Sequence, residues 1–310
     1  MTSPTPQQLA QSGTLEDLYK QLEPIRLGAG WAKPTPSLWA EPKKSFQPFV
    51  WSYAQAKGAL DAAGRLINTE LAERRNLIMQ NPVGGSYATS RTIVAAYQMI
   101  MPGEKARSHR HTPNALRLII DADPGAYTIV NGERLSMMPG DVVLTPSWAW
   151  HGHANESDAT SYWIDFLDVP FVQHSEAMFF EPNPAGFETI TSYGPSPHRI
   201  PARDALGSGT DAKTVEIAQG VLPTIGLHLM RLPSGTRHEV AKTTVNHLYS
   251  VISGKARVRI AGGADETLAV GDVMTVPCWH AHTLEAAEDT IVLRVTDEPL
   301  LAKVGLVKTA

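Results

Sequence analysis

The chain has 310 residues, 43% of them hydrophobic, with a formal net charge of −4. Its positive charges are scattered apart from Glu73-Arg74-Arg75, which excludes the basic stripe that a nucleic-acid partner requires. One cysteine, Cys278, excludes an intrachain disulfide framework and a cysteine-rich zinc site. The opening residues lack the apolar core of a signal peptide, and no run approaches the roughly 18 apolar residues of a membrane span. A soluble, cytoplasmic protein with no nucleic-acid or membrane partner is expected.

Residues 1–84 read as helices separated by proline-rich loops. Leu15, Leu18 and Leu22 fall at helical spacing behind Ser12 or Thr14 as caps. The stretch from Ser52 to Met79 is rich in Ala and Leu and reads as one further helical run. From residue 85 to 180 the period shortens to β runs with turns, as in "NALRLIIDA", "GAYTIVNGE" and "DVVLTP". Residues 181–213 look like a connector, and 214–310 return to β runs.

The second β zone repeats the first. "PGDVVLTPSWAWHGH" aligns with "VGDVMTVPCWHAH", placing Gly140 on Gly271, Pro146 on Pro277, Trp148 on Trp279 and His151 on His282. Upstream, the alignment puts His109 on His238 but His111 on Val240. Only two of three histidines persist, a poor set for a metal, so no metal is expected in the second unit.

In the first unit the spacing is specific: Gly103, His109 and His111, then Gly140, Pro146, His151 and Asn155. These match the two signature motifs of the cupin superfamily, with Trp148 where many cupins have glycine. In a strand, side chains alternate faces, so His109 and His111 point the same way about 7 Å apart. His151 from a facing strand then completes three neutral imidazole ligands for a divalent ion. Ala115 and Leu116 stand where many cupins add a glutamate, leaving three metal positions open. Arg117 shares parity with the histidines, so a continuous strand aims it into the same interior. It meets either a substrate carboxylate or an internal partner such as Asp121 or Asp165. His153 shares parity with His151. With Asp165 it can form a proton-handling pair, or it can orient a ligand.

The chain resembles the gentisate 1,2-dioxygenase group of bicupins, which includes salicylate and 1-hydroxy-2-naphthoate dioxygenases. The resemblance runs from "LEDLYKQLEPIRLGAGW" through "AERRNLIMQNP" and is densest in "AAYQMIMPGEKARSHRHTPNALR", "GDVVLTPSWAWHGHAN" and "WIDFLDVPF". It implies a mainly β bicupin, two antiparallel cupin β-barrels with an N-terminal helical segment, assembled as a homotetramer. It also implies Fe(II) on His109, His111 and His151. Ring cleavage of a 2-hydroxyaryl carboxylate by O2 would fall between the carboxyl- and hydroxyl-bearing carbons. By position, Gln98, Arg117, His153 and Asp165 match residues lining the family's substrate site. Arg117 would neutralise the carboxylate, and His153 with Asp165 would handle protons. One of Arg74 and Arg75 matches an arginine reaching in from an N-terminal helix.

The departures concern the pocket. Val94 replaces a usual aromatic residue beside the substrate, Phe166 a usual glycine and Leu118 a common phenylalanine. They leave open whether the substrate is gentisate, a salicylate or a bulkier hydroxyaryl acid. An isomerase or hydrolase using another divalent metal, or a non-catalytic aromatic-acid binder, are the competing classes.

Overall fold

The computed structural model describes residues 3–68 and 74–310. Two compact units divide the chain between Lys43 and Lys44. In the first, the helices Pro6–Ala10 and Leu15–Leu22 are each opened by a threonine. Thr14, not Ser12, caps the second, its hydroxyl accepting from the Asp17 N–H at 3.1 Å.

The second unit begins with a strand, Phe49–Trp51, and a helix, Tyr53–Leu66. The long helical run expected to Met79 therefore stops early. Its residues 69–73 lie outside the described residues, and Arg75–Ile78 is a strand. Propensity yields here to pairing, because Leu77 lies opposite Tyr97 at the edge of a large sheet.

Four antiparallel sheets follow. The first large sheet has the order Arg199–Pro201, Asp141–Thr145, Ala115–Asp121, Ser161–Leu167, Val94–Ile100, Arg75–Ile78. Its smaller companion runs Phe180–Pro182, Lys105–His111, His151–Asn155, Ala126–Val130, Glu133–Ser136. The second large sheet runs Phe49–Trp51, Val273–Val276, His247–Ser253, Thr290–Thr296, Gly226–Leu232, Lys213–Ile217. Arg237–Val240, His282–Ala286, Ala256–Ile260 and Asp265–Leu268 form its companion. The segment between the two β units is not idle, since it lends an edge strand to each sheet of the first.

Strand alternation decides what each face does. Leu116, Leu118, Ile164 and Phe166 of the first large sheet share one buried cluster with Leu227, Leu229, Leu248 and Leu293 of the second. The two large sheets thus pack back to back, each fully buried side chain contributing about 1.5–3 kcal/mol of burial energy. On the opposite face of the first sheet, Ile100, Ile119 and Trp163 meet Val130 and Leu135 of its companion. Met230, Tyr249 and Val292 meet Val258 and Leu284 in the same way.

The internal repeat is visible in its fastenings. Asn114 N–H donates to Asp168 and Asn246 N–H to Asp297, both at 2.8 Å. The amide oxygens of these asparagines accept from Ser147 and Cys278 N–H, at 3.0 and 3.1 Å. Trp148 and Trp279 both sit at φ +65°, the left-handed region that explains why glycine is common at this place in related motifs. The strand register corrects one alignment. Val240 lies across from His282, the place His109 holds across from His151, so His238 is not the counterpart of His109.

Candidate metal centre

His109 and His111 do not share a continuous strand with Arg117. Thr112–Asn114 turn the chain, so the histidines lie in the smaller sheet and Arg117 in the large one. Both strands still aim inward, because the two sheets face each other. A register shift between Ala106 and His109 accompanies the pairing with His151–Asn155. Gly152 fits against this irregularity: a Cβ there would come within 2.5 Å of Ser108 Oγ and 3.1 Å of the Ala106 carbonyl. With Gly152 and Ala154 facing outward, His151, His153 and Asn155 face the interior.

The three histidines converge. One ligand atom from each of His109, His111 and His151 lies within 4.8 Å of the others. Each Nδ1 lies beside a backbone carbonyl, that of Arg107 at 3.2 Å, Pro113 at 2.9 Å and Ala149 at 3.0 Å. A carbonyl only accepts, so Nδ1 carries the proton and Nε2 keeps its lone pair for a metal. Buried His151 Nε2 has no partner among the described residues. Burial, then the charge of Arg74, lowers His109 to about 3, and burial lowers His111 to about 4. His151 is held well below the ordinary range by burial and Arg117. All three are neutral at pH 7, as ligands must be. This donor set fits a divalent ion with open positions; three nitrogens with no carboxylate suit iron, zinc, copper or nickel.

Around the triad stands a charged floor. Val94, Gln98, Arg117 and Asp165 come from three adjacent strands of the large sheet, with Asp165 directly opposite Arg117. Arg117 Nε lies 3.1 Å from Asp165 Oδ1, and both side chains are almost wholly buried. The pair is close but not aligned as a hydrogen bond, so both atoms keep bonding capacity. Arg117 also donates to Thr145 Oγ1, and Gln98 donates to Asp165 Oδ2, each at 2.5 Å. Burial raises Asp165 and lowers Arg117, and their mutual attraction opposes both. The internal partner foreseen for Arg117 is therefore Asp165, not Asp121.

Two expectations need correction. His153 does not bond Asp165: its Nδ1 lies 2.9 Å from Thr128 Oγ1, and its buried Nε2 has no partner among the described residues. Arg75 does not reach the centre. Its guanidinium is bound to Glu104 at 2.5 Å and to the Ile67 carbonyl. The charge of Arg74, by contrast, helps depress His109, His111 and His153, and its buried Nε lacks a partner among the described residues. Arg75 opens the strand Arg75–Ile78 and Arg74 precedes it at a bend, so neither stands on a helix. Leu118 and Phe166 also point away, into the back-to-back core. Of the three departures, only Val94 faces the site.

Three contributors escaped the sequence reading. Thr128 and Thr145 are ordinary strand threonines whose partners only cross-strand pairing reveals. Phe180, at the very end of the first β zone, pairs opposite His111 and sets its ring 5.1 Å from that of His109.

Converging imidazoles beside a buried arginine, inside paired β-sandwiches, fit the metal-binding interior of a cupin. Residues 96–167 match the cupin domain model. The chain is 31% identical to gentisate 1,2 dioxygenase 1 of Aquipseudomonas alcaligenes, over 94% of each chain. It is 31% identical to 5-aminosalicylate 1,2-dioxygenase of a Comamonas species, over 94% of this chain and 89% of that one. The crystal structure of salicylate 1,2-dioxygenase from Pseudaminobacter salicylatoxidans superposes with a TM-score of 0.86, at 26% identity, covering 99% of this chain and 98% of that one. The chain belongs to the gentisate 1,2-dioxygenase family of ring-cleaving oxidoreductases. No helix among the described residues is long and apolar enough to cross a membrane.

Proposed function

We propose that this protein uses Fe(II) held by His109, His111 and His151 to open the ring of a 2-hydroxyaryl carboxylate. The class is gentisate, salicylate or 1-hydroxy-2-naphthoate. The ring would break between the carboxyl- and hydroxyl-bearing carbons, and both atoms of O2 would enter the product. One observation carries this reading: three neutral imidazoles with free Nε2 atoms beside two inward arginines, Arg74 and Arg117, with Asp165 as their nearby counter-charge. That balance leaves room for one more anion.

Bound iron would supply the one-electron chemistry that lets O2 react with an electron-rich ring. The chain does the rest. Arg117, braced by Asp165 and Thr145, would hold the substrate carboxylate from below, and Arg74 would hold it from the side. His153 Nε2, with Nδ1 held by Thr128, would take the hydroxyl proton and return it on ring opening. Gln98 positions Asp165 and offers its own unpartnered oxygen to the cavity. Val94 would set how bulky a ring fits. A cytoplasmic homotetramer is part of this reading, and light scattering of the purified protein tests the assembly.

The test is anaerobic reconstitution with Fe(II), followed by O2 uptake with the three acids. Uptake equal to substrate consumed, abolished by a chelator and by His109→Ala, is the expected result. Unchanged turnover in that variant sinks the iron mechanism, as does failure to bind iron.

A further inference from the structure

The interior of the second β unit is not simply an emptied copy of the first. The asparagine–aspartate fastenings fix the correspondence: three residues after Asn114 and Asn246 stand Arg117 and Tyr249, and three before Asp168 and Asp297 stand Asp165 and Arg294. The strand register agrees, pairing Arg117 with Asp165 and Tyr249 with Arg294. A cation thus occupies the place of the first unit's buried carboxylate. Beside it on the next strand is His228, directly opposite Arg294. His247 faces the same interior, its ring 6.0 Å from that of Tyr249 and 5.3 Å from that of His282.

This lining is short of acceptors. Arg294 has no hydrogen bond or ion pair with any described residue, and its Nε is buried. His247 is only 5% exposed, yet among the described residues neither of its ring nitrogens has a partner, and His228 Nδ1 has none. His282 Nε2 is already engaged, 2.7 Å from the Tyr249 hydroxyl. Leaving such groups unmet costs about 1–3 kcal/mol each, and buried polar groups in folded proteins are almost always met. The unmet set is one guanidinium and imidazoles that burial keeps neutral, each able to donate one N–H. The set carries the fixed positive charge of Arg294 with no carboxylate to offset it, which disfavours a cation among these imidazoles and favours an anion.

We infer that the second β unit binds a small oxyanion, held by Arg294 and by the N–H groups of His228 and His247. The site is independent of the metal centre and of the ring-cleavage reading. Its oxyanion is either the carboxylate of a small organic acid or an inorganic phosphate, the chemistry of recognition being shared.

Equilibrium dialysis of the full, metal-loaded chain against radiolabelled acetate, and separately against inorganic phosphate, tests this beside Arg294→Gln. Beyond any anion held at the metal centre, one equivalent per chain is expected, weakened about tenfold or more by the substitution, with turnover at the metal centre unchanged. Binding of acetate assigns an organic acid, and binding of phosphate the inorganic ion. Should Arg294→Gln fail to fold, His247→Phe keeps a ring stacked on Tyr249 and should weaken binding similarly. Binding that both variants leave intact overturns the inference, as does no binding of either anion at millimolar concentration. Stoichiometric Zn2+ uptake that His247→Phe abolishes also overturns it, in favour of a metal site.

Discussion

Arg117 and Asp165 face each other across neighbouring strands, 3.1 Å apart and 1% and 2% exposed. Such a pair adds little net stability, but either member alone is a buried charge without a counter-ion. Asp165→Asn should therefore destabilise the fold by about 3–5 kcal/mol, whereas Arg117→Met with Asp165→Leu should stay near wild type. Denaturant melts of both variants check this. The double variant should nonetheless lose turnover through a raised KM, because the carboxylate would have lost its cation. A double variant as unstable as the single one would show that packing, and not charge, is what the pair supplies.

Phe166 and Val94 should separate stability from selectivity. Phe166 is fully buried in the core between the two large sheets, so Phe166→Ala should cost about 3–5 kcal/mol with relative kcat/KM among the three acids unchanged. Val94→Phe on the site-facing parity should instead leave stability within about 1–3 kcal/mol and disfavour the bicyclic acid. A shift in substrate preference caused by Phe166→Ala would contradict the assigned faces.

The adjacent arginines should likewise divide their effects. Arg75 holds Glu104 with its side chain 3% exposed, and Arg75→Ala should cost several kcal/mol. Arg74→Ala should leave the melting midpoint nearly untouched and raise KM for an aromatic acid about tenfold or more. Equal stability losses in the two variants would place Arg74 in the structural scaffold instead.

Buried histidines give the metal-free protein a predictable acid response. His109, His151, His153 and His247 all have folded pKa values depressed by burial, so the unfolded chain binds protons that the folded chain refuses. Their stabilising contribution is complete above the ordinary value near 6.5 and is lost as pH falls below it. By pH 5 each should have cost about 2 kcal/mol. Urea midpoints between pH 7.5 and pH 5 test this. A flat profile for the metal-free chain would mean that these imidazoles already accept protons in the folded state.

The metal triad was legible in the linear chain because its information is local. Two histidines at strand parity and a third at a fixed distance from Gly140 and Pro146 are brought together once their strands face each other. The resemblance, not parity, pointed to Gln98, Asp165 and Val94. Parity aimed Arg117 inward, although a turn at Thr112–Asn114 separates its strand from that of the histidines, and the repeat declared the second β unit. Partner choice is non-local, and only the tertiary structure decided it. Which aspartate meets Arg117, that Thr128 and not Asp165 holds His153, and that Phe166 turns its back on the site all depend on which strands are neighbours. The same holds for the start of the Arg75–Ile78 strand, where pairing with Val94–Ile100 overrides helical composition. The second unit shows the limit most plainly. Matching His109 to His238 slips by two residues there, because it abandons the 131-residue offset of Gly140–Gly271 and His151–His282, which leads from His109 to Val240 as the strand register does. Once the asparagine–aspartate fastenings set the register, His247 and Arg294 emerge as the residues lining its interior.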